Sequence, residues 1–341
     1  MYADWQEYLG AQGARIDDGK LLDFGDPAAE LVAARDATVA ATLTHLALIG
    51  CSGDDAGNFL HNQLTSDVNH LAATGAQYAA WCSAKGRMLA SFALFRRDAD
   101  YLALLSDDLL EWVLKRLRIY VLRSKVTIAN RSGDCAIIGV SGPQAAAALE
   151  NAGLDAPSAA LTTSRFADAS VIRLDERRYV VAAANGAAIR VWQALAAIAA
   201  PVGAPVWQWL DVAAGIPWIG EATREAFVPQ MADFDRIGGV SFHKGCYPGQ
   251  EIVARARYLG KVKRHFYRCR AAAPITAGLH IYPAATPDQP CGQIANAAAA
   301  PNGGYDALAV ILEDAIGKGE LRAALSDGGS VGLTNIVLVS G

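Results

Sequence analysis

The pattern of apolar and polar positions near the start of the chain predicts alternating strands and helices. Between residues 44 and 130 it predicts a strand, a helix, three strands, a helix and a final strand. These segments are THLALIG (44–50), SGDDAGNFLHNQLTSDV (52–68), AQYAAWCSA (76–84), GRMLASFALFRR (86–97), DYLALLS (100–106), DDLLEWVLKRLRIYVL (107–122) and KVTIAN (125–130). Ser52 and Ser106 are the predicted N-caps, because a serine hydroxyl accepts a hydrogen bond from the first helical turn.

The same pattern starts again at residue 135. It predicts strands at 135–140, 170–174 and 177–184 and helices at 141–153 and 186–200. Residues 49–62 and 138–151 align at a constant offset of 89, and seven of their fourteen positions are identical. We therefore predict one β-α-β-β unit that occurs twice. This order is typical of ferredoxin-like layers of antiparallel sheet and helices.

The two ends of the chain differ from this repeated pattern. After about residue 264, short apolar runs are separated by Gly, Pro, Asn and Asp, which predicts a β-barrel over residues 265–341. Residues 1–40 are alanine-rich and weakly patterned, and we expect them to be a peripheral segment. The region between them, 41–264, is predicted to hold two units, at about 41–130 and 131–210, and then a segment 211–264. The predicted fold class is α+β.

The composition is that of a well-buried globular protein, with 52% apolar and 19% charged residues among 341. A formal net charge of −4 argues against a surface that coats nucleic acid. Two basic runs, 114–125 and 255–270, nevertheless contain no acidic residue. Each is either a solvated face or a wall of a groove for an anionic ligand, and charge patterning leaves both interpretations open.

The thiols and the apolar stretches indicate a cellular compartment. The chain starts MYADWQEYLG, without the features of a signal peptide, and its most apolar stretch, 194–207, is too short to span a bilayer. The six cysteines have no CxxC spacing: Cys51, Cys82, Cys135, Cys246, Cys269 and Cys291. We therefore expect reduced thiols in a cytoplasmic protein, no metal site and no membrane partner.

The segment KGCYPGQE (244–251) concentrates chemically useful groups. Cys246 is a candidate catalytic thiolate, because Lys244 and the arginines that follow would lower a thiol pKa. The neighbouring His243 is a weak candidate for a base. The segment could instead clamp a ligand, since Gln250 and Glu251 suit a planar heterocycle with N–H donors. A tight turn that satisfies its own polar groups is the third interpretation.

The residues around this segment resemble the folate-binding YgfZ family, whose members are relatives of the glycine-cleavage aminomethyltransferase. The resemblance is carried by KGCYPGQE within VPQMADFDRIGGVSFHKGCYPGQEIVARARYLGKVKR (228–264). FLHNQLTSDV (59–68), AKGRM (84–88) and GIPWIG (215–220) support it, and it covers roughly residues 41–341. The eight residues of 244–251 are its most specific part.

The resemblance implies a fold, a ligand and a role. It implies three lobes around a central channel, two of them ferredoxin-like and one a C-terminal barrel, with 41–264 as the aminomethyltransferase-like folate-binding region. The implied cofactor is tetrahydrofolate, and the implied role is support of iron–sulfur cluster assembly or repair and of tRNA modification. Iron–sulfur enzymes would be the clients, and contact with tRNA would be indirect.

The resemblance also implies functional residues. Cys246 and Lys244 would be the catalytic residues, with Cys246 as the reactive thiol. Trp207 matches a family position associated with folate contact, although a core tryptophan is the alternative. The candidate folate-binding residues are Trp207, Asp211, Tyr247, Gln250, Glu251 and Arg255.

Two positions depart from the family pattern. Ala213 stands where the transferase relatives have a carboxylate that holds the pterin, and Asp211 could replace it if the segment is extended. Asp233 stands where the family commonly has Asn. The alternative function, a folate-dependent one-carbon (aminomethyl) transferase, needs an acid or base such as Asp67, Asp211 or Glu251, and Ala213 weighs against it. A thiol hydrolase lacks a clear histidine partner.

Overall fold

The computed structural model describes residues 1–258 and 262–339, with Tyr258 described for its backbone only. The chain divides into two compact units. The first unit contains residues 1–57, 70–77 and 93–207, and the second contains residues 58–69, 78–92 and the described residues from 208 onward. Three separate stretches therefore build the second unit, which makes neighbours of residues that are far apart in sequence.

The first residues of the chain contribute to the core of the first unit. Their elements are α1 (Ala3–Ala11), β1 (Arg15–Asp17), β2 (Lys20–Asp23), α2 (Pro27–Asp36) and β3 (Val39–Thr42). Trp5 and Leu9 lie one helical turn apart and are at most 1% exposed, and the Trp5 ring meets Trp192 edge-on at 5.6 Å. This burial differs from the expectation of a peripheral segment. The i, i+4 spacing of Trp5 and Leu9 was the available signal for this buried face.

The first repeat forms a five-stranded sheet. Its elements are β4 (Leu46–Ser52), α3 (Ala56–Gln63), β5 (Ala76–Cys82), β6 (Met88–Arg97), β7 (Asp100–Ser106), α4 (Leu110–Arg118) and β8 (Thr127–Asn130). The strand order is β5-β6-β7-β4-β8. The helix predicted for 52–68 is shorter than expected, because Ser52 ends β4 and Gly53, at φ +111°, turns the chain. Ser52 is therefore not its N-cap.

The second repeat has the same order of elements. They are β9 (Cys135–Ser141), α5 (Ala145–Asn151), β10 (Thr162–Arg165), β11 (Ala169–Arg173), β12 (Arg178–Ala184), α6 (Asn185–Ala196) and β13 (Ala200–Val202). The strand order, β10-β11-β12-β9-β3-β13, differs from the first sheet in that β3 is inserted. Strands β4 and β9 begin 89 positions apart, as do helices α3 and α5. The predicted repetition of one unit is confirmed, whereas the proposed domain boundaries stay a prediction.

The remaining elements end in a barrel. Helices α7 (Ala204–Ala213) and α8 (Gln250–Tyr258) precede β14 (Arg264–Ala271), β15 (His280–Pro283), β16 (Gly292–Ala299), β17 (Tyr305–Leu312), β18 (Leu321–Ala324) and β19 (Ser330–Leu338). These six strands close in the order β14-β17-β16-β15-β18-β19 around a core that includes Ile281, Ile294 and Ile311. The α+β class and the C-terminal barrel are therefore confirmed.

Candidate functional site

The segment KGCYPGQE forms a loop that turns sharply into α8. Gly249 has φ +79°, and a Cβ atom there would lie 2.6 Å from the Gly86 Cα. Gly86 has φ +68°, and its own Cβ would lie 2.9 Å from the Ile252 Cβ. No side chain fits at either position. The AKGRM turn and the cysteine segment, 160 residues apart in sequence, therefore pack glycine against glycine.

Lys244 holds the start of this loop. Its side chain is buried, with 7% of the residue exposed, and its ammonium donates hydrogen bonds to the backbone carbonyls of His61, Leu64 (2.5 Å) and Ser66 (3.1 Å). These carbonyls lie at and just beyond the C-terminal end of α3, where helical carbonyls lack partners within the helix. A positive charge is also favourable at the negative end of the helix dipole. Lys244 is thus a tertiary cap for α3.

Burial changes the ionisation of two residues of the loop. It lowers the pKa of Lys244 to about 8, and the nearby Asp67 opposes this shift. Burial also raises the pKa of the Tyr247 hydroxyl well above its usual range, with a smaller contribution from Cys82. The Lys244 ammonium lies 5.0 Å from the centre of the Tyr247 ring, within the range of a cation–π interaction. The two side chains therefore stabilise each other in a largely dry environment.

His61 is a neighbour of the loop that the sequence did not indicate. Its Nδ1 lies 3.2 Å from Asp67 Oδ1, within ion-pair distance. Its Nε2 faces Gly245, where a Cβ atom would lie 3.8 Å away. His61 and Asp67 both belong to FLHNQLTSDV. The resemblance of that segment to the family was therefore the available signal for these two residues. Nothing in the spacing along the chain indicated that it would contact residue 245.

Cys246 is exposed, in contrast to the other five cysteines, which are buried. Burial raises the pKa of each buried thiol: Cys51, Cys82, Cys135, Cys269 and Cys291. All six cysteines are free. A thiol is reactive when it is accessible and ionised. Exposure therefore distinguishes Cys246 from the other thiols of this chain.

The residues after Cys246 start α8. The Gln250 side-chain amide donates to the Lys244 carbonyl at 3.4 Å and so closes the loop on itself. Glu251 lies in the first turn and Arg255 in the last turn, and both are exposed. These charges also suit the ends of the helix dipole, so their placement has a structural reason. Their predicted contact with folate stays a prediction.

The PQM segment supports α8 from the other side. The Gln230 side-chain amide is buried and donates to the Val253 carbonyl at 2.6 Å. Asp233, the departure from the family pattern, is buried and left-handed at φ 50°. Asn and Asp both tolerate this backbone conformation. The substitution therefore preserves the turn, whatever its effect on ligand binding.

Trp207 is a core residue of the first unit. It is 1% exposed, and a Cβ atom at Gly139 would overlap its ring. The indole thus occupies the space that the glycine of β9 leaves open. The structure gives Trp207 this packing role, while its contact with folate stays a prediction.

Asp211 lies in α7 and is buried. Its Oδ2 accepts a hydrogen bond from the Trp218 indole N–H at 2.9 Å, and the nearby Trp209 donates to Asp306 at the same distance. Asp211 was expected to replace a carboxylate at position 213 if the segment were extended. The segment is helical, so the two positions point roughly 200° apart. Asp211 and Ala213 therefore do not share a face.

Within residues 1–258 and 262–339, no group of three or more His, Cys, Asp or Glu side chains is placed to hold a metal ion. In the same part of the chain, no helix has the length and apolar character that crossing a bilayer requires.

Comparison with known proteins identifies the class. The fold is similar to that of the glycine cleavage system aminomethyltransferase T from Bartonella henselae, with a TM-score of 0.80, 18% sequence identity and coverage of 97% of this chain and 95% of that one. The GCVT N-terminal domain family matches residues 23–167. The protein therefore has an aminomethyltransferase-like fold.

Sequence relatives identify the family. The chain is 36% identical over 234 residues to the tRNA-modifying protein YgfZ of Klebsiella pneumoniae (strain 342), which covers 68% of this chain and 71% of that protein. It is 34% identical over 228 residues to the protein of the same name from Yersinia pseudotuberculosis serotype O:1b (strain IP 31758). That alignment covers 66% of this chain and 69% of the Yersinia protein. The chain belongs to the YgfZ family.

Proposed function

We propose that this protein is a tetrahydrofolate-binding accessory factor that supports iron–sulfur cluster assembly or repair and, through it, tRNA modification. Cys246 is its functional residue. Membership of the YgfZ family is the basis, since curated relatives carry the name tRNA-modifying protein. The protein acts in the cytoplasm on iron–sulfur enzymes, and its contact with tRNA is indirect.

The exposed thiol on a fixed loop carries this proposal. Lys244 anchors the loop to the end of α3, and the Gly86–Gly249 contact fixes its other end, while Cys246 itself is exposed. A loop held at both ends presents its thiol in a defined position, as a reaction or transient binding step requires. One thiol does not hold a cluster alone, because clusters generally need about four ligands. Cys246 therefore serves as a transient ligand or as a reactive thiol.

Folate is the cofactor in this proposal, and its binding residues are the candidates named from the sequence. Tyr247 and Gln250 border the thiol in the loop, and Glu251 and Arg255 follow on the exposed side of α8. Trp207, Asp211 and Tyr247 are buried and would need to become accessible to touch a ligand directly. Ala213 removes a carboxylate of the transferase relatives, which favours an accessory factor over an aminomethyl transferase.

A titration with tetrahydrofolate, repeated on two variants, tests the proposal. We expect saturable binding by calorimetry to the wild type and to Cys246→Ala, because the thiol is proposed to act rather than to bind folate. Trp207→Phe keeps an aromatic ring against Gly139 and should weaken binding if Trp207 contacts folate. An absence of binding to the wild type at physiological folate concentration would refute the proposal.

The same variants separate the factor from the transferase. In cells that lack the protein, we expect Cys246→Ala to fail to restore tRNA modification by an iron–sulfur enzyme, while the wild type restores it. Purified wild-type protein should not form methylene-tetrahydrofolate from an aminomethyl donor. Steady turnover in that assay would instead establish the transferase. A fully active Cys246→Ala variant in cells would remove the role of the thiol.

A further inference from the structure

A second site lies on the barrel side of the AKGRM turn. It is a cavity of about 210 Å³ lined by Arg87, Arg264, His280, Gln293, Met231 and Pro290, with Phe227, Gly292 and other residues behind them. This volume exceeds the share of a single water molecule in the liquid, about 30 Å³. The cavity does not depend on the proposed folate site, because none of the candidate folate residues lines it.

The charge of this cavity is one-sided. Two arginines and a histidine line it, and none of the lining residues, all of which are described, is acidic. The described contacts of Arg87 and Arg264 include no carboxylate, whereas Arg270 and Arg322 of the same barrel each lie close to one. Two guanidinium groups that share a cavity without a carboxylate repel each other, and an anion between them relieves that repulsion.

Backbone carbonyls hold both guanidinium groups in place. Arg87 Nη1 donates to the carbonyls of Glu225 (3.2 Å) and Ala226 (2.5 Å), and Arg264 Nη1 donates to the Cys291 carbonyl at 2.9 Å. In each case the described bonds use one of the three guanidinium nitrogens. A guanidinium group carries five N–H donors, so each arginine keeps donors for a further acceptor. The donors are thus oriented before a ligand arrives.

Two polar side chains of the barrel also line the cavity. His280 and Gln293 are directly paired across β15 and β16. The Gln293 amide nitrogen donates to the Gly278 carbonyl at 3.0 Å, which orients its amide group. The wall next to Arg87 is fixed as well, since Met88 and Phe227 pair through the backbone at 2.8 Å. The cavity is therefore framed by the barrel and by the start of β6, which Arg87 directly precedes.

We propose that this cavity binds a phosphate group of a small phosphorylated molecule. A tetrahedral oxyanion has several oxygens that point in different directions, and donors of Arg87, Arg264 and His280 around one cavity match that shape. A carboxylate has only two oxygens, and a single guanidinium group satisfies both of them. Met231 and Pro290 supply an apolar edge for the organic part of the molecule.

Calorimetric titration of the full-length protein with inorganic phosphate, at constant ionic strength in chloride, tests this site. We expect saturable binding to the wild type. Arg87→Gln and Arg264→Gln should each weaken it by about tenfold or more, because each removes a charge-assisted hydrogen bond. Arg268→Gln is the matched control: Arg268 is exposed on the same strand as Arg264, does not line the cavity, and should bind as the wild type does.

Further measurements keep the result decisive. Arg264→Lys retains the charge but loses the planar guanidinium fork, so it should recover only part of the affinity for phosphate. The same variant keeps the test valid if Arg264→Gln does not fold. Binding that does not saturate, or that falls equally in Arg268→Gln, would mean unspecific attraction and overturn the proposal. Acetate that binds as tightly as phosphate would overturn the assignment to phosphate.

Discussion

The two repeats share their scaffold but end their first helices in different ways. Helix α5 caps itself: Gly153 follows it at φ +71°, and the N–H of Leu154 donates back to the Leu149 carbonyl at 2.9 Å. This is the local glycine cap that ends many helices. At the offset of 89, the first repeat has Leu64 in place of Gly153. Helix α3 is capped instead by the ammonium of Lys244, from 180 residues further along the chain.

This difference gives the ends of the two equivalent helices different structural roles. The second repeat satisfies its backbone locally and buries its helix in an apolar core that includes Leu149 and Leu154. The first repeat leaves its helix end open to a distant partner, and that partner is the first residue of the cysteine loop. The stability of the first repeat and the position of Cys246 therefore depend on the same hydrogen bonds.

The glycine turn that the two repeats share should make both repeats equally sensitive to mutation. Gly53 and Gly142 are equivalent, have φ +111° and +132°, and lie so close to the backbone that a Cβ atom would overlap the carbonyl oxygens of Lys125 and Ala37. Gly53→Ala and Gly142→Ala should each lower the free energy of unfolding by about 3 kcal/mol or more, since both add strain and overlap. Chemical denaturation measures this. Tolerance of either alanine would show that the turns are not equivalent.

The different part of the comparison predicts a large effect in the first repeat. Lys244→Met keeps the bulk of the side chain but leaves the carbonyls of Leu64 and Ser66 without their donor. We expect a loss of about 2 to 3 kcal/mol in the free energy of unfolding, because buried acceptors lose charge-assisted bonds. Hydrogen exchange should rise at the end of α3.

The second repeat supplies the control for Lys244. Gly153→Ala meets no atom within 4 Å of its Cβ and strains only the backbone, so about 1 kcal/mol should be lost. Hydrogen exchange at α3 should not change in this variant. If Lys244→Met cost no more than Gly153→Ala, the ammonium would not be the main cap of α3.

The smallest expected effect is a pH dependence contributed by Lys244. Burial lowers the pKa of Lys244 from its ordinary 10.5 to about 8 in the folded state. Between these two values the unfolded chain binds the proton and the folded chain does not, so this group makes stability rise with pH. The advantage of the wild type over Lys244→Met should therefore grow, by about 1 kcal/mol at most after screening, between pH 7 and pH 9.5. A falling or constant difference would contradict the lowered pKa.

Much of the fold was predictable because its signals are local. Each signal is contained in short stretches of sequence. These are the two segments that align at an offset of 89, the short apolar runs of the barrel, and the glycines of AKGRM and KGCYPGQE. The burial of Trp5 and Leu9 was missed, because their i, i+4 spacing marks one helical face but does not show that Trp192 packs against it. The sequence also did not distinguish a helix from an extended segment at residues 211–213. For this reason Asp211 was expected to lie on the same face as Ala213.

The site was only half predictable for the same reason. The sequence marked KGCYPGQE as a candidate functional segment, because its residue types and glycines predict a tight turn that carries a thiol. It gave no sign that Lys244 caps α3, that His61 lies against Gly245, or that Gly86 meets Gly249. The sequence also did not indicate that Arg87 and Arg264 line the same cavity.

The amino-acid sequence by itself determined the repeated unit, the barrel, the family and the position of the candidate cysteine in the chain, because each depends on local patterns or on a specific motif. Only the tertiary structure decided which thiol is exposed, which charges are buried and which backbone carbonyls receive Lys244. The physical reason is that burial and hydrogen-bond partners are set by residues distant in sequence, here three separate stretches that fold into one unit.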